Sequence, residues 1–198
     1  RINDINSEDG FKDIEALSSA SKLPSGLMLP KIKTAEEIQK LNNRFIDANI
    51  NINLHVIIET NQGLKNVWEI AHSCSSIKSL LFGGVDMSAD LGCLGDWTSL
   101  LYARSRVVHA AAGAGIDSID VPFLDLDNME GLREEALLSK NLGFSGKGSI
   151  HPKQIEVLNS IFTPSDAEVS YAKKIIKAFE EASDGLVVVD GKLIEKPV

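Results

Sequence analysis

The chain has 198 residues, 43% hydrophobic and 24% charged, an ordinary balance for a globular protein with a full core. Its net charge of −8 argues against nucleic-acid binding, which needs a basic face. No stretch approaches the roughly 18 apolar residues that span a bilayer, and the polar opening RINDINSEDG lacks a secretory apolar region. The expectation is a cytoplasmic protein without membrane or nucleic-acid partners, and the missing initiator Met places more chain upstream.

In chain order, Arg1 to Asn3 reads as the end of a strand, and GLMLPKI (Gly26 to Ile32) as the next. TAEEIQKLNNRF follows as a helix, with Thr34 as N-cap and Glu37 completing a capping box. NLHVIIET is a strand, and GLKNVWEIAHSC a helix whose stripe carries Leu64, Val67, Trp68 and Ala71. SLLFGGVD is a strand, then DWTSLLYARSRVVHAAAGAG a long helix stopped by glycines. SIDVPF (Ser118 to Phe123) and GKGSIHP (Gly146 to Pro152) are further strands, and the stretch around Glu134 to Gly143 between them reads as a solvated helix face with a glycine stop. SDAEVSYAKKIIKAFEEAS closes the series as a helix, with Ser165 as N-cap and Glu168 at its third position. Cys74 and Cys93 have neither CxxC nor metal spacing and read as buried free thiols.

Runs that are apolar on both faces and alternate with helices imply parallel strands buried on both sides. No GxGxxG follows the first strand, so a dinucleotide-binding sheet fits poorly. A (β/α)8 TIM barrel fits better, but typically takes about 250 residues. The pattern therefore predicts a single barrel domain over 1–198, with strands 3 to 8 visible and two βα units missing. The strands would end near Asn3, Lys31, Glu59, Asp86, Phe123 and Ile150.

In a barrel the C-terminal strand ends line the catalytic mouth. Glu59 and Asp86 end neighbouring strands, so two carboxylates would enter one mouth. Two oxygen ligands with open positions suit Mg²⁺, which keeps waters and takes substrate oxygens. Gly63, Gly83 and Gly84 leave room for substrate near the backbone. Arg1 and Lys31 would bring cations for carboxylate or enolate oxygens. Asp90, in the loop beyond, reads as a cap for the next turn.

LMLPKIKTAEEI, VIIETNQGLKNVWEIA, LLFGGVDMSADLG, GKGSIHPKQIEVLNSIFTPS and VVVDGKLIEKP, with the opening RIN, together resemble the citrate lyase β-subunit family, which includes malyl-CoA and citramalyl-CoA lyases. The likeness covers essentially the whole chain; two upstream family segments, LFVPG-like and DLED-like, are absent from it. It implies a (β/α)8 barrel that cleaves 3-hydroxyacyl thioesters with Mg²⁺. The family's metal ligands fall on Glu59 and Asp86, and its substrate arginine on Arg1. Lys31, Glu59 and Gly84 are the accompanying substrate-binding candidates. The family motif DGKMID is DGKLIE here, which puts Glu195 where an aspartate acts near the thioester, often in a neighbouring subunit's site. The segment 185–198 would then reach a neighbour, and the resemblance implies a homo-oligomer, a trimer or hexamer.

Two roles stay open for Lys147 in the glycine-rich turn: contact with a CoA phosphate, or a structural turn. His151 reads as the start of the following helix, His55 and His109 as packed or surface residues, and Trp68 and Trp97 as core or interface groups.

The expected activity is Mg²⁺-dependent cleavage of citryl-, citramalyl- or malyl-CoA to a keto acid and a smaller acyl-CoA. The alternatives are a citryl-acyl-carrier-protein lyase subunit, a malate synthase-like condensing thioesterase, or a non-catalytic barrel partner.

Overall fold

The computed structural model describes residues 1–182 and 185–195, which fall into two compact units, 1–158 and 159–198. In the first unit, helix α1 (Glu8–Ser18) precedes strand β1 (Gly26–Leu29), and helix α2 (Ala35–Asp47) leads to β2 (Asn53–Ile58). Two short helices follow, α3 (Asn61–Lys65) and α4 (Val67–Ala71), then β3 (Ile77–Phe82) and α5 (Gly84–Leu91). Helix α6 (Trp97–Ala114), β4 (Asp117–Asp120), α7 (Met129–Leu142) and β5 (Gly146–Lys147) complete the alternation. A 3₁₀ turn (Pro152–Gln154) opens α8 (Ile155–Phe162).

The five strands form one sheet in the order β1-β2-β3-β4-β5, every pair parallel. Sequential parallel order with helical crossovers is the βα repeat expected from runs apolar on both faces. Val56, Ile57 and Ile58 are all buried in β2, and Leu80 and Phe82 in β3. The helices cover the sheet with apolar stripes: Ile38, Leu41 and Phe45 in α2, and Leu100, Ala103, Val107 and Ala111 in α6. The capping box of α2 is present, with Thr34 and Glu37 bonding reciprocally.

Several boundaries differ from the sequence expectation. Arg1 to Asn3 form no assigned strand; one bond, Ile2 N–H to Met28 O at 3.2 Å, lays this stretch beside β1. The strands end earlier than expected, at Leu29, Ile58, Phe82, Asp120 and Lys147. The apolar runs continue beyond the last ladder bond, so their length overstates the strands. The expected helix through Trp68 breaks at Asn66 into α3 and α4, leaving Trp68 42% exposed. Its ring leans on His72 and His109, and a side chain on Gly113 would collide with it. Cys74 and Cys93 are free thiols, half-buried instead of buried.

In the second unit, α9 (Asp166–Glu181) begins with the expected Ser165–Glu168 capping box. An antiparallel hairpin follows, β6 (Leu186–Val189) and β7 (Lys192–Glu195), turning on Asp190 and Gly191. Both turn residues have positive φ, 48° and 76°, the Asp-Gly signature of a two-residue hairpin turn. Val187 and Val189 face inward, and β6 packs on α9.

Candidate active site

The C-terminal ends of the parallel strands surround a cavity of about 330 Å³. Arg1, Glu59 and Asp86 all line it, with Gly83 and Asp120, with Val121, Pro122 and Leu124 from the stretch after β4, and with Gly148 and Ser149 from the stretch after β5. Four of the residues singled out from the sequence, Arg1, Glu59, Gly83 and Asp86, are thus brought together.

Glu59 lies one residue beyond β2 and is 5% exposed. Its Oε1 accepts the Lys31 backbone N–H at 2.8 Å. Lys31 achieves this with a left-handed backbone, φ 56°, which a non-glycine residue adopts only when its surroundings impose it. Lys31 was expected as a cation; its backbone makes the contact, and its exposed side chain does not line the cavity. Burial pushes the Glu59 carboxyl above its ordinary 4.5 and the Asp86 charge pushes the same way, against the Lys31 N–H and the charges of Arg1 and Lys31.

Asp86 does not end a strand. β3 stops at Phe82, Gly83 turns the chain, and Asp86 is the third residue of α5. The chain passes from strand to helix with no loop because Gly83 has no side chain: a Cβ there would strike the Glu59 Cβ and stand 2.9 Å from its Oε2. α5 has no side-chain cap, so its first turn presents its positive end beside Asp86. Gly84 packs on Val121 and Phe82 and lines an adjoining cavity of about 340 Å³, so it is Gly83 that borders the carboxylates.

Among the described residues no group of three or more His, Cys, Asp or Glu is placed to hold a metal. Glu59 and Asp86 form an open pair of hard oxygen donors, and the Asp86 charge adds to the cost of ionising Glu59. That donor set fits Mg²⁺, which takes one or two carboxylates and completes its shell with waters and substrate oxygens.

Lys147 is buried, and this answers which of its two roles the fold uses. Its Nζ donates to Asp120 Oδ2 (2.8 Å), Glu135 Oε1 (2.6 Å) and Val121 O (2.7 Å), which leaves no ammonium at the surface for a CoA phosphate. Asp120 also accepts from Arg104 Nε at 2.9 Å and Ser139 Oγ at 2.5 Å. The Arg104 guanidinium lies between the Phe82 and Trp97 rings, 5.1 and 4.6 Å from their centres. Burial pushes Asp120 up, but Lys147 and Arg104 outweigh it and hold the carboxyl below its ordinary 3.8. Glu135, expected on a solvated helix face, is a member of this network.

The other histidines are structural: His55 Nδ1 meets Ser79 Oγ at 2.8 Å, and His151 Nδ1 accepts the Lys153 N–H at the start of the 3₁₀ turn. Asp90 sits within α5 and accepts the Asn61 N–H at 2.5 Å, capping α3 behind it instead of a turn ahead. Glu195 ends β7 in the second unit and is exposed. Residues 196–198 of the proposed reaching segment lie outside the described residues.

The family profile described as HpcH/HpaI aldolase/citrate lyase matches residues 1–152. Mitochondrial citramalyl-CoA lyase of Rattus norvegicus is 32% identical across 100% of this chain, which spans 64% of that relative's length. The crystal structure of RipC from Yersinia pestis superimposes with a TM-score of 0.82 at 41% identity, over 85% of this chain and 78% of that one. CitE of Mycobacterium tuberculosis, in complex with magnesium, acetoacetate and coenzyme A, matches with a TM-score of 0.79 at 27% identity, over 98% and 71%. This chain belongs to the HpcH/HpaI aldolase/citrate lyase family.

Proposed function

We propose that the protein is a Mg²⁺-dependent carbon–carbon lyase that cleaves a 3-hydroxyacyl thioester of the citramalyl-, malyl- or citryl-CoA type into a keto acid and a smaller acyl thioester. The observation that carries this is the convergence of Arg1, Glu59 and Asp86 on one cavity at the C-terminal strand ends. A relative named for citramalyl-CoA cleavage and a structural neighbour holding magnesium and coenzyme A support it.

Glu59 and Asp86 would hold the metal, which would supply a Lewis acid for the negative charge on the 3-hydroxyl oxygen as its proton leaves. The Lys31 N–H holds Glu59 in one orientation, so the carboxylate needs no reorganisation when substrate arrives. Arg1 pairs with an anionic oxygen at the reacting centre, and the uncapped first turn of α5 receives a substrate carboxylate. The reaction removes the proton of the 3-hydroxyl, breaks the bond between C2 and C3, and returns a proton to C2 of the thioester enolate. Glu195 is the base in this reading, delivered by the 185–198 segment of a neighbouring copy in a homo-oligomer. The hairpin supports it: Leu186, Val188 and Leu193 are exposed on the face that carries Glu195.

The same reading makes β1 to β5 consecutive strands of an eight-stranded barrel, preceded by the Arg1 stretch and two further βα units. The uninterrupted parallel order and the Ile2–Met28 bond beside β1 support it. The test is a panel of citramalyl-, malyl- and citryl-CoA, and the corresponding carrier-protein thioesters, incubated with Mg²⁺ and the full-length protein. Release of pyruvate, glyoxylate or oxaloacetate identifies the substrate; no keto acid from any of them overturns the proposal.

A further inference from the structure

We propose that Gln154 is a positioning residue that holds the apolar wall of the carboxylate cavity in place and so sets which acyl group the site accepts. The proposal deepens the lyase reading and rests on it for the identity of the substrate.

Gln154 is completely buried. Its Nε2 donates to the Phe123 carbonyl at 2.8 Å, and its Oε1 accepts the Ile150 N–H at 3.0 Å and lies 3.4 Å from the Ser149 hydroxyl. One amide therefore joins the loop after β4 to the loop after β5. Those two loops supply the cavity wall: Val121, Pro122 and Leu124 from the first, Gly148 and Ser149 from the second.

Two other ties act closer to the sheet, Gly148 N–H to Asp120 O at 2.9 Å and Lys147 Nζ to Val121 O at 2.7 Å. Both precede Pro122, which contributes no N–H of its own. Beyond Pro122, Gln154 is a buried tie to the first loop, and the exposed pair Lys153 Nζ to Asp127 Oδ1 at 3.2 Å reaches the same loop further along. The loops also touch directly, since a Cβ on Gly148 would stand 2.8 Å from Pro122 Cγ. A buried amide with both ends bonded cannot shift without stranding a polar group, so displacing the backbone at Phe123 from that at Ile150 carries that cost.

The first-loop part of this wall, Val121, Pro122 and Leu124, is apolar, and it borders the same cavity as Glu59 and Asp86. With the substrate hydroxyl held at Glu59 and Asp86, we place against this wall the substituent on the hydroxyl-bearing carbon, hydrogen in a malyl thioester and methyl in a citramalyl one. One methyl in an apolar pocket changes kcat/KM by about 10- to 200-fold, provided the wall does not yield.

The experiment compares Gln154→Glu and Gln154→Met with wild type. Gln154→Glu keeps an acceptor for Ile150 but places an oxygen against the Phe123 carbonyl; Gln154→Met removes both bonds. The kcat/KM ratio between citramalyl- and malyl-CoA is expected to move toward unity by about tenfold in both, mainly through KM, while Mg²⁺ affinity by calorimetry stays at the wild-type value. Equal losses on both substrates with an unchanged ratio, or a wild type that cleaves both equally, overturn the proposal. Hydrogen–deuterium exchange of residues 121–124 is read without any turnover: faster exchange in both variants supports the positioning role, and wild-type protection overturns it. A wild type that cleaves neither thioester but shows faster exchange in the variants means that the lyase reading has failed and the wall's anchor has not.

Discussion

In the proposed lyase Glu59 and Asp86 act as a pair with unequal surroundings: one is buried and held by a backbone N–H, the other is exposed in the first turn of a helix. Glu59→Gln or Asp86→Asn is expected to leave the circular dichroism spectrum unchanged while Mg²⁺ affinity falls at least about tenfold, the usual cost of disturbing a metal's ligands or their supports. Calorimetric titration reads this, and wild-type affinity in both variants would remove the metal from this cavity. Asp120 makes a separate prediction. Asp120→Asn leaves Lys147 and Arg104 buried with Glu135 as their remaining charged partner, and breaking a buried ion pair costs about 3–5 kcal/mol. Because the folded carboxyl lies below its ordinary 3.8, its contribution is present above that pH and is lost as pH falls through the folded value. Urea unfolding should therefore show a large deficit at pH 7 that narrows in acid. Glu59 was legible as a residue because it closes an apolar run beside glycine. The Asp120 network was not, since its partners lie 16 and 27 residues away and a charged residue on a helix stripe gives no sign of what faces it.

At the scale of elements, the junction of β3 and α5 decides the site. Gly83 lets the chain leave the strand against the Glu59 side chain, so that Asp86 enters the cavity from a helix. Gly83→Ala is expected to force Glu59 aside and to destabilise by about 1–3 kcal/mol, the range for overpacking a filled site, with weaker Mg²⁺ binding; thermal unfolding and calorimetry measure the two effects together. An unchanged Mg²⁺ affinity would mean that Glu59 is not held where the metal needs it. The parallel βα alternation was readable because β2 and β3 are apolar on both faces, and the caps of α2 and α9 because Thr34 and Ser165 precede a glutamate at the right offset. Strand ends were not readable: hydrophobicity persists through Leu81 to Val85, while ladder bonding stops at Phe82. The break at Asn66 was hidden for a related reason, because Leu64, Val67 and Ala71 keep helical spacing on either side of it.

For the whole molecule, the proposed oligomer turns on Glu195, exposed at the end of a hairpin beside Leu186, its cross-strand partner. Glutamate has nearly the same reference pKa as aspartate, about 4.3 against 3.9, but one more methylene, and a misplacement near 1 Å can cost about a hundredfold. Loss of cleavage in Glu195→Gln with substantial cleavage in Glu195→Asp is expected of a base, and near-normal rates in Glu195→Gln would remove it from the reaction. The central claim, a lyase whose metal sits on Glu59 and Asp86, is tested most directly by keto acid release from citramalyl-, malyl- and citryl-CoA with Mg²⁺ or with EDTA. The full-length protein should cleave at least one of them with Mg²⁺, lose that rate in EDTA, and recover it when Mg²⁺ is restored, while Glu59→Gln stays inactive throughout. Full activity in EDTA, or in Glu59→Gln, would contradict it.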